Sequence, residues 1–346
     1  MTGVTLRIDT ARWRKHLQQV AERVPGMVPV AKGNGYGFGN SRLADEATRL
    51  GVDTIAVGTP AEAHSIRDHF AGDIVMLLPW DANDPNAVEL ARDPRMIVTV
   101  SQLTDLEILA NLGGRKPRVL VEVLTSMRRH GIPVEDLPAV QAWQEFLQIE
   151  GWTIHLPIQS STADEAERLG KLAQQALDVP LWYSHVPLLD YVRIAKSLGE
   201  GRTRLRVGTQ LWLGDPGALT TTATVLDVHP IKRGERLGYW QRAALQDGFV
   251  VVVSGGTANG IGLEAPSSGR SVRSRAISLA TGGLEAAGFA LSPYTIAGGK
   301  RWFVEPPHMQ SSLVFLPAKL TPPTVGDEVP VDVRNTIATF DETIDD

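Results

Sequence analysis

The sequence predicts an α/β fold in which an N-terminal (β/α)8 barrel of TIM type is followed by a mostly β C-terminal domain. Eight short apolar runs alternate with segments of helical period up to about residue 214, and the helical period then disappears. The length of 346 residues also exceeds what one small core organises. We expect the barrel domain to span residues 1–218 and the C-terminal domain residues 219–346. An open doubly wound sheet is the alternative to the barrel.

The eight candidate strands are short and rich in β-branched and apolar residues, as buried parallel strands are. They are 28–32, 54–59, 73–79, 96–100, 118–124, 151–157, 180–185 and 203–208. Helix signals lie between them. Asn40 or Ser41 is expected to cap a helix that ends near Gly51, and Thr59 with Glu62 forms a capping-box pattern ahead of the next helix. After residue 214, β-rich runs with many Gly, Pro and Thr breaks predict the second domain.

Composition narrows the classes of function. Lys and Arg number 34 against 39 Asp and Glu, a formal net charge of −5, and no basic run stands out. A nucleic-acid or membrane partner therefore has no electrostatic support, and a small-molecule partner is expected. The absence of cysteine excludes disulfides, thiolate nucleophiles and Cys-ligated metals, and no other metal site is indicated. The first residues lack the pattern of a signal peptide, so we expect a cytoplasmic protein.

The segment VPVAKGNGYGFG (28–39) carries the clearest chemical signal. A buried-looking strand ends in a single lysine, Lys32, and alternating glycines follow it. A lysine at the carboxyl end of a barrel strand faces the mouth where barrel enzymes keep their active sites, and desolvation there favours the neutral, nucleophilic amine. The alternative is a solvated lysine in a glycine-rich turn.

Three segments, LRID, VPVAKGNGYGFG and GVDTIAVGTPAEAHSIRD, resemble the alanine racemase family of fold-type III enzymes that use pyridoxal 5'-phosphate (PLP). The resemblance implies PLP as cofactor, bound through a Schiff base to Lys32, with Tyr36 near it. It also implies a small amino acid as substrate and a head-to-tail homodimer. Weaker matches run through the second domain at 234–242, 251–260, 305–316 and 325–331.

Further matches follow in the order of the family. The segment TSMRRHGI (125–132) resembles the one whose arginine lies beside the phenolic oxygen of PLP, which implies Arg129, with Arg128 as the second choice. The strand at 151–157 implies that His155 lies beside the pyridine ring, although a single histidine in an apolar strand is otherwise a core residue. The implied catalytic residues are Lys32, Arg129 and His155. The implied contacts of PLP also include Ser184 at the phosphate, Arg206 at the pyridine nitrogen, and the backbone N–H groups of Gly208 and Thr209 at the phosphate.

The second domain departs from the family at three positions. Racemisation needs acid/base groups on both faces of the reacting carbon, and the second group of the family is a tyrosine in Gly-Tyr-Ala-Asp-Gly. The corresponding segment here is Gly256–Gly260, with Thr257 at the tyrosine position. Gln310 stands where the family has aspartate, and Phe340 stands near the position of a phosphate-binding tyrosine. The residues that are able to replace the second base are Tyr239, Tyr294 and His308.

These observations predict a PLP-dependent amino-acid racemase (isomerase) that acts on L- and D-alanine or another small amino acid, with a divergent second domain. One alternative is PLP chemistry that needs a single base, such as decarboxylation, retro-aldol cleavage or slow transamination. The other is a homologue that binds PLP without catalysing a reaction.

Overall fold

A computed structural model describes residues 3–158, 162–263 and 290–346 of the chain. Its strands are β1 (Val4–Ile8), β2 (Met27–Pro29), β3 (Thr54–Val57), β4 (Asp73–Pro79), β5 (Met96–Val100), β6 (Arg118–Val123), β7 (Gln148–His155), β8 (Leu181–Ser184), β9 (Thr203–Val207), β10 (Leu219–Ile231), β11 (Arg236–Leu237), β12 (Arg242–Ala243), β13 (Gly248–Ser254), β14 (Leu291–Ile296), β15 (Gly299–Phe303), β16 (Ser311–Pro317), β17 (Glu328–Pro330) and β18 (Glu342–Asp345). Its α-helices are α1 (Thr10–Arg23), α2 (Asn40–Arg49), α3 (Pro60–Ile66), α4 (Pro85–Leu90), α5 (Leu103–Ala110), α6 (Thr162–Ala176), α7 (Leu188–Leu198) and α8 (Thr209–Trp212).

The chain divides into two compact units. We call Arg14–Gly214 the barrel unit and Met1–Trp13 with Asp215–Asp346 the β unit. The barrel unit therefore begins at residue 14 and ends at residue 214, whereas the sequence predicted bounds of 1 and 218. The first thirteen residues belong to the β unit because β1 pairs antiparallel with β10, where Val4 lies opposite Ala223, and parallel with β18.

The barrel unit confirms the predicted (β/α)8 architecture. Its eight strands pair in parallel from β3 through β9, and β9 then pairs with β2. An isolated parallel bridge between Val30 and Ala56 connects the end of β2 to β3, so the sheet closes on itself. The alternative of an open sheet is therefore wrong. Apolar side chains from successive strands fill the interior, namely Val28, Val30, Ala56, Val75, Ile97, Leu120 and Trp182.

One of the two helix-capping predictions is confirmed and the other is wrong. Thr59 caps α3, its side chain accepts from the backbone N–H of Glu62, and Glu62 completes a capping box. The cap expected at Asn40 or Ser41 is wrong, because the N-cap of α2 is Gly39 and no side chain caps it. The Asn40 amide instead donates to the carbonyl oxygen of Gly33 at 3.1 Å, which ties the start of α2 to the loop after β2.

The β unit is mostly β, as predicted. Its sheet has the order β14-β15-β16-β13-β10-β1-β18, and β17 also pairs with β10. Its core is formed by alternate residues of these strands, including Val225, Val253, Tyr294 and Val314. No helix in the described parts of the chain combines the length and the hydropathy needed to cross a lipid bilayer.

Candidate active site at the carboxyl ends of the barrel strands

The residues that the family resemblance assigns to PLP lie at one end of the barrel. Because parallel strands of a closed barrel end on the same rim, residues at their carboxyl ends share that rim. Lys32 follows β2, Arg129 lies in the loop after β6, His155 ends β7, Ser184 ends β8, Arg206 lies in β9, and Gly208 and Thr209 follow β9. Thr209 is exposed at the first position of α8.

Tyr36 is held against the backbone at the end of β9. It lies in the single 3₁₀ turn Gly35–Gly37 with a φ of 56°, a left-handed conformation that is uncommon for a residue with a side chain, and it is buried. A Cβ atom added to Gly208 would lie 2.1 Å from the Tyr36 hydroxyl oxygen, so only glycine permits this approach. Burial raises the pKa of Tyr36 to about 12, and the phenol therefore keeps its proton at neutral pH.

His155, Ser184 and Arg206 form a hydrogen-bonded chain. Arg206 Nη2 donates to Ser184 Oγ at 3.3 Å, and Ser184 Oγ lies 2.6 Å from His155 Nδ1. Burial, and then the charges of Arg206 and Arg129, lower the pKa of His155 to about 3. The imidazole is therefore neutral at physiological pH.

Lys32 lies among positive charges. Burial lowers the pKa of its amine, and Arg129 and Arg206 lower it further, whereas Glu62 raises it. A lysine in this environment is neutral for a larger fraction of the time than one in water, which is the condition for attack on a carbonyl carbon. Burial also lowers the pKa of Arg206 to about 10, and its guanidinium remains charged at neutral pH. The rim therefore suits a ligand that carries anionic groups.

Glu122 is a site residue that the sequence interpretation missed. Its carboxylate is buried inside β6 and accepts from the Ser101 hydroxyl at 2.8 Å. It lies 3.7 Å from Arg129 Nη2 and raises the pKa of Arg206, so it partly balances both arginines. The available signal was a single acidic residue within the apolar run RVLVEVL. Such a residue is rarely buried without a charged partner.

His185 is the second residue that was missed. It directly follows Ser184, has a φ of 60°, and its ring meets the His155 ring edge to face with 5.1 Å between the ring centroids. Burial, then Arg206, Lys32 and Arg129, lower the pKa of His185. Non-glycine residues with positive φ concentrate at functional sites, where the surrounding structure holds them in place. Within the described parts of the chain, no cluster of three or more His, Asp or Glu residues is arranged to hold a metal ion.

Comparison with known sequences decides the family. The profile of the family described as "Alanine racemase, N-terminal domain" matches residues 8–186, which is more than half of the chain. The chain belongs to the alanine racemase family. It is thereby an enzyme of the racemase (isomerase) type at the level of that family. Among curated family members, an alanine racemase of Nitratidesulfovibrio vulgaris is 26% identical over 287 residues, which cover 74% of this chain and 75% of the relative.

Solved structures of alanine racemases share the fold. An alanine racemase from Bartonella henselae, described as having covalently bound pyridoxal phosphate, superposes with a TM-score of 0.73 at 18% identity and covers 97% of this chain and 92% of its own. A histidine racemase from Leuconostoc mesenteroides superposes with a TM-score of 0.66 at 19% identity and covers 95% and 88% of the two chains. The barrel followed by a β domain is therefore the architecture of alanine racemases.

Proposed function

We propose that the chain is a PLP-dependent racemase of a small amino acid, alanine in the first place, and that Lys32 carries the cofactor. The observation that carries this proposal is the environment of the Lys32 amine at the barrel rim, where burial, Arg129 and Arg206 all lower its pKa. Membership of the alanine racemase family supports the choice of PLP and of an amino-acid substrate.

The residues at the rim fit PLP. Arg206 Nε is buried and, within the described residues, has no hydrogen-bond partner, so β9 holds a buried donor that lacks an acceptor. A pyridine nitrogen is such an acceptor. Lys32 would bind the cofactor covalently, and Arg206 would bind its ring nitrogen beside His155. Ser184 and the backbone N–H groups of Gly208 and Thr209 would bind the phosphate, and Arg129 the phenolic oxygen.

When bound, PLP supplies an electron sink that makes the α-proton of an amino acid removable. Lys32, which becomes a free amine when the amino acid takes its place, would remove this proton and return it on the same face. Arg206, which donates hydrogen bonds and stays charged, keeps the atom it contacts unprotonated and limits how far electrons are withdrawn. Tyr36 and His155 stay neutral at physiological pH, so neither adds a charge to the rim.

Racemisation needs a second acid/base group, and Thr257 does not supply it. An alcohol is a far weaker acid than a phenol, whose pKa is near 10. Thr257 begins the 3₁₀ turn Thr257–Asn259 of the β unit, and its backbone N–H donates to the carbonyl oxygen of His308 at 2.9 Å. The residue at the tyrosine position therefore lies next to His308.

His308 is the best supported of the three replacements for the second base. Tyr294 is fully buried, and its hydroxyl lies 2.8 Å from the carbonyl oxygen of Gly255, so it belongs to the core of the β unit. His308 Nε2 lies 2.7 Å from a carboxylate oxygen of Glu305, which is 3% exposed, while the His308 side chain is 26% exposed. A buried carboxylate that orients a partly exposed imidazole is a common acid/base pair.

Tyr239 supports His308 rather than replacing it. Its ring packs on the imidazole with 4.6 Å between the centroids, and its backbone N–H donates to the other carboxylate oxygen of Glu305 at 2.7 Å. We propose a head-to-tail homodimer in the cytoplasm, as the family resemblance implies, in which His308 of one protomer serves the barrel of the other.

The first experiment is the absorbance spectrum of the purified protein with PLP, followed by chiral chromatography after incubation with L-alanine and with a panel of amino acids. We expect a band of bound PLP that is absent from Lys32→Ala, together with a D-amino acid product. A band that survives unchanged in Lys32→Ala contradicts the assignment of Lys32.

The His308 assignment has its own test. His308→Gln is expected to lower formation of the D-enantiomer by about 10²-fold or more, as loss of a general acid/base does. It should leave the exchange of the α-proton with deuterated water intact for the one enantiomer of alanine whose α-proton faces Lys32, and abolish it for the other, because each base acts on its own face. Thr324→Val, a change of similar size in the β unit, is the control. A wild-type protein that exchanges this proton with retained configuration has single-base chemistry, and one that binds PLP without exchange or D-product is a non-catalytic homologue.

A further inference from the structure

Glu62 contacts the peptide that follows Lys32. Its Oε1 accepts a hydrogen bond from the backbone N–H of Gly33 at 2.7 Å. Its Oε2 accepts from the N–H groups of Gly58 at 2.6 Å and Thr59 at 3.1 Å. The carboxylate therefore joins two loops of the barrel rim, the one after β2 and the one after β3.

A capping box accounts for only part of this arrangement. The motif requires the bond from the Thr59 N–H to the Glu62 carboxylate and the reciprocal bond from the Glu62 N–H to the Thr59 hydroxyl, here 3.3 Å. The bonds from Gly58 and Gly33 are additional. Gly33 has a φ of 62°, a conformation that glycine adopts freely and that does not by itself fix the direction of the chain. Its bond to Glu62 supplies that constraint directly after Lys32.

The same carboxylate lies close to the stem of Lys32. A Cβ atom added to Gly58 would lie 2.7 Å from Glu62 Oε2 and 3.4 Å from Lys32 Cβ. Gly58 is therefore the point at which the acidic side chain and the lysine stem approach each other across a shared backbone. A side chain at this position would displace the Glu62 carboxylate.

Glu62 supplies negative charge next to a lysine that is otherwise surrounded by positive charges. Among the described residues, five titratable or charged side chains interact electrostatically with Lys32. They are Arg129 in the loop after β6, His155 at the end of β7, His185 after β8, Arg206 in β9 and Glu62 in α3. Glu62 is the carboxylate of this set, and it opposes the two arginines.

We propose that Glu62 is a positioning residue for Lys32: its carboxylate fixes the peptide after Lys32 and supplies the negative charge that retains the proton on the Lys32 amine. The proposal rests on the proposed function only in naming Lys32 as the reactive amine. Without Glu62, the amine loses its proton at lower pH, and the backbone that carries the Lys32 side chain is no longer held by the bond from the Gly33 N–H. The balance between the nucleophilic and the protonated forms of the amine then changes.

Competitive acetylation tests the charge. The full-length chain is treated with hydroxylamine to release any bound PLP and is then labelled with acetic anhydride from pH 6 to 10. Mass spectrometry compares Lys32 with the exposed Lys319 as an internal reference. Glu62→Gln is expected to raise Lys32 labelling at pH 7 by about three- to tenfold, because removal of an opposite charge lowers the pKa of the amine and increases the fraction in the neutral, reactive form. The labelling rates converge at pH 10.

Two further variants separate charge from hydrogen bonding. Glu62→Asp keeps the charge on a shorter side chain, so the pH midpoint of Lys32 labelling returns towards that of the wild type. Amide hydrogen exchange at Gly33 nevertheless becomes faster, because the shorter side chain does not reach its N–H. Asp84→Asn makes the same carboxylate-to-amide change at the N-cap of α4, whose side chain accepts from Asn86, and it is expected to alter neither measurement.

A Glu62→Gln profile that coincides with the wild type, or an equal shift in Asp84→Asn, overturns the electrostatic part of the proposal. Unchanged exchange at Gly33 in Glu62→Asp overturns the positional part, and this measurement decides the matter if Glu62→Gln does not fold. Because the labelling uses no PLP, a failure of the proposed function, seen as no PLP band that depends on Lys32, is distinguishable from a failure of this inference.

Discussion

Replacement of Gly208 by alanine tests the approach of Tyr36 to the end of β9. The added Cβ would lie 2.1 Å from the Tyr36 hydroxyl oxygen and 3.0 Å from Cζ, whereas ordinary contacts begin at 3.4 Å. One of the two groups must therefore move by about 1.3 Å. Tyr36 has little freedom to move, because it is 7% exposed and lies in a left-handed backbone conformation. Such overpacking costs about 1–3 kcal/mol of stability.

Thermal unfolding and PLP titration measure the outcome. A loss of 1 kcal/mol lowers Tm by about 2–4 °C in a unit of this size. The PLP affinity of Gly208→Ala should fall as well, since Gly208 belongs to the proposed phosphate contact. The matched control is Gly299→Ala, where the nearest atom to the added Cβ is 3.5 Å away.

A double-mutant cycle identifies the cause of the loss. Tyr36→Phe removes the hydroxyl oxygen, so the nearest remaining atom is Cζ at 3.0 Å, and most of the stability lost in Gly208→Ala should return in the double variant. Additive losses, or a loss below about 0.5 kcal/mol in Gly208→Ala alone, would refute the close approach as the reason for glycine at this position.

Three further predictions concern the site. The His155 ring is expected to show no protonation between pH 5 and 8 in a ¹⁵N NMR titration, because its pKa lies at about 3. The unfolded chain takes up this proton near pH 6.5, so the free energy of unfolding falls as the pH drops below 6.5. This fall is expected to be smaller in His155→Gln. Glu122→Gln leaves the buried guanidinium of Arg206 less balanced and should lower the free energy of unfolding by about 3 kcal/mol or more, read from urea unfolding beside the exposed control Glu107→Gln; a loss equal to that of the control would show that Glu122 does not stabilise the site. Thr257→Tyr places a phenol next to His308, so it is expected to recover D-alanine formation in the His308→Gln variant, and an unchanged rate in chiral chromatography would show that a phenol at this position does not replace His308.

Much of the barrel was predictable because its strands are continuous apolar runs. β4 and β5 have the bounds that the sequence gives for them, 73–79 and 96–100. β7 begins at Gln148, three residues before the predicted start at 151, because Gln148 and Ile149 pair with β6 although they lie outside the apolar run. A parallel strand extends as far as its neighbour offers backbone hydrogen-bond partners, and the hydropathy of the sequence alone does not reveal that extent.

The position of β1 was not predictable from local pattern. Its alternation indicates a half-buried strand and says nothing about its partner. The partner β10 begins at Leu219, more than 200 residues later, and β18 is more distant still. A strand with such distant partners is assigned to a domain only by its pairing. The first residues were therefore expected in the barrel and lie in the β unit.

The site shows the same division between local and distant signals. Lys32 was identified because an isolated lysine at the end of an apolar strand is a local anomaly. Glu62 was identified as a capping residue, but its bond to Gly33 spans 29 positions and depends on the closure of the barrel. In the sequence, Glu122 is only an acidic residue that interrupts an apolar strand, and its role becomes evident when the structure places Arg129 beside it.

These distant contacts explain how one rim keeps so many cations together. Lys32, Arg129 and Arg206 repel one another, and Arg206 is buried, so the fold requires compensation. Glu122 provides it from inside β6 and Glu62 from the start of α3. Both carboxylates are held by hydrogen bonds, from Ser101 and from backbone N–H groups, and they act from the sides of the rim. The cations therefore keep their capacity to bind an anionic ligand, and the lysine keeps an amine that changes protonation easily. The same charges that make the rim costly to fold make it suited to a cofactor with a phosphate and a substrate with a carboxylate.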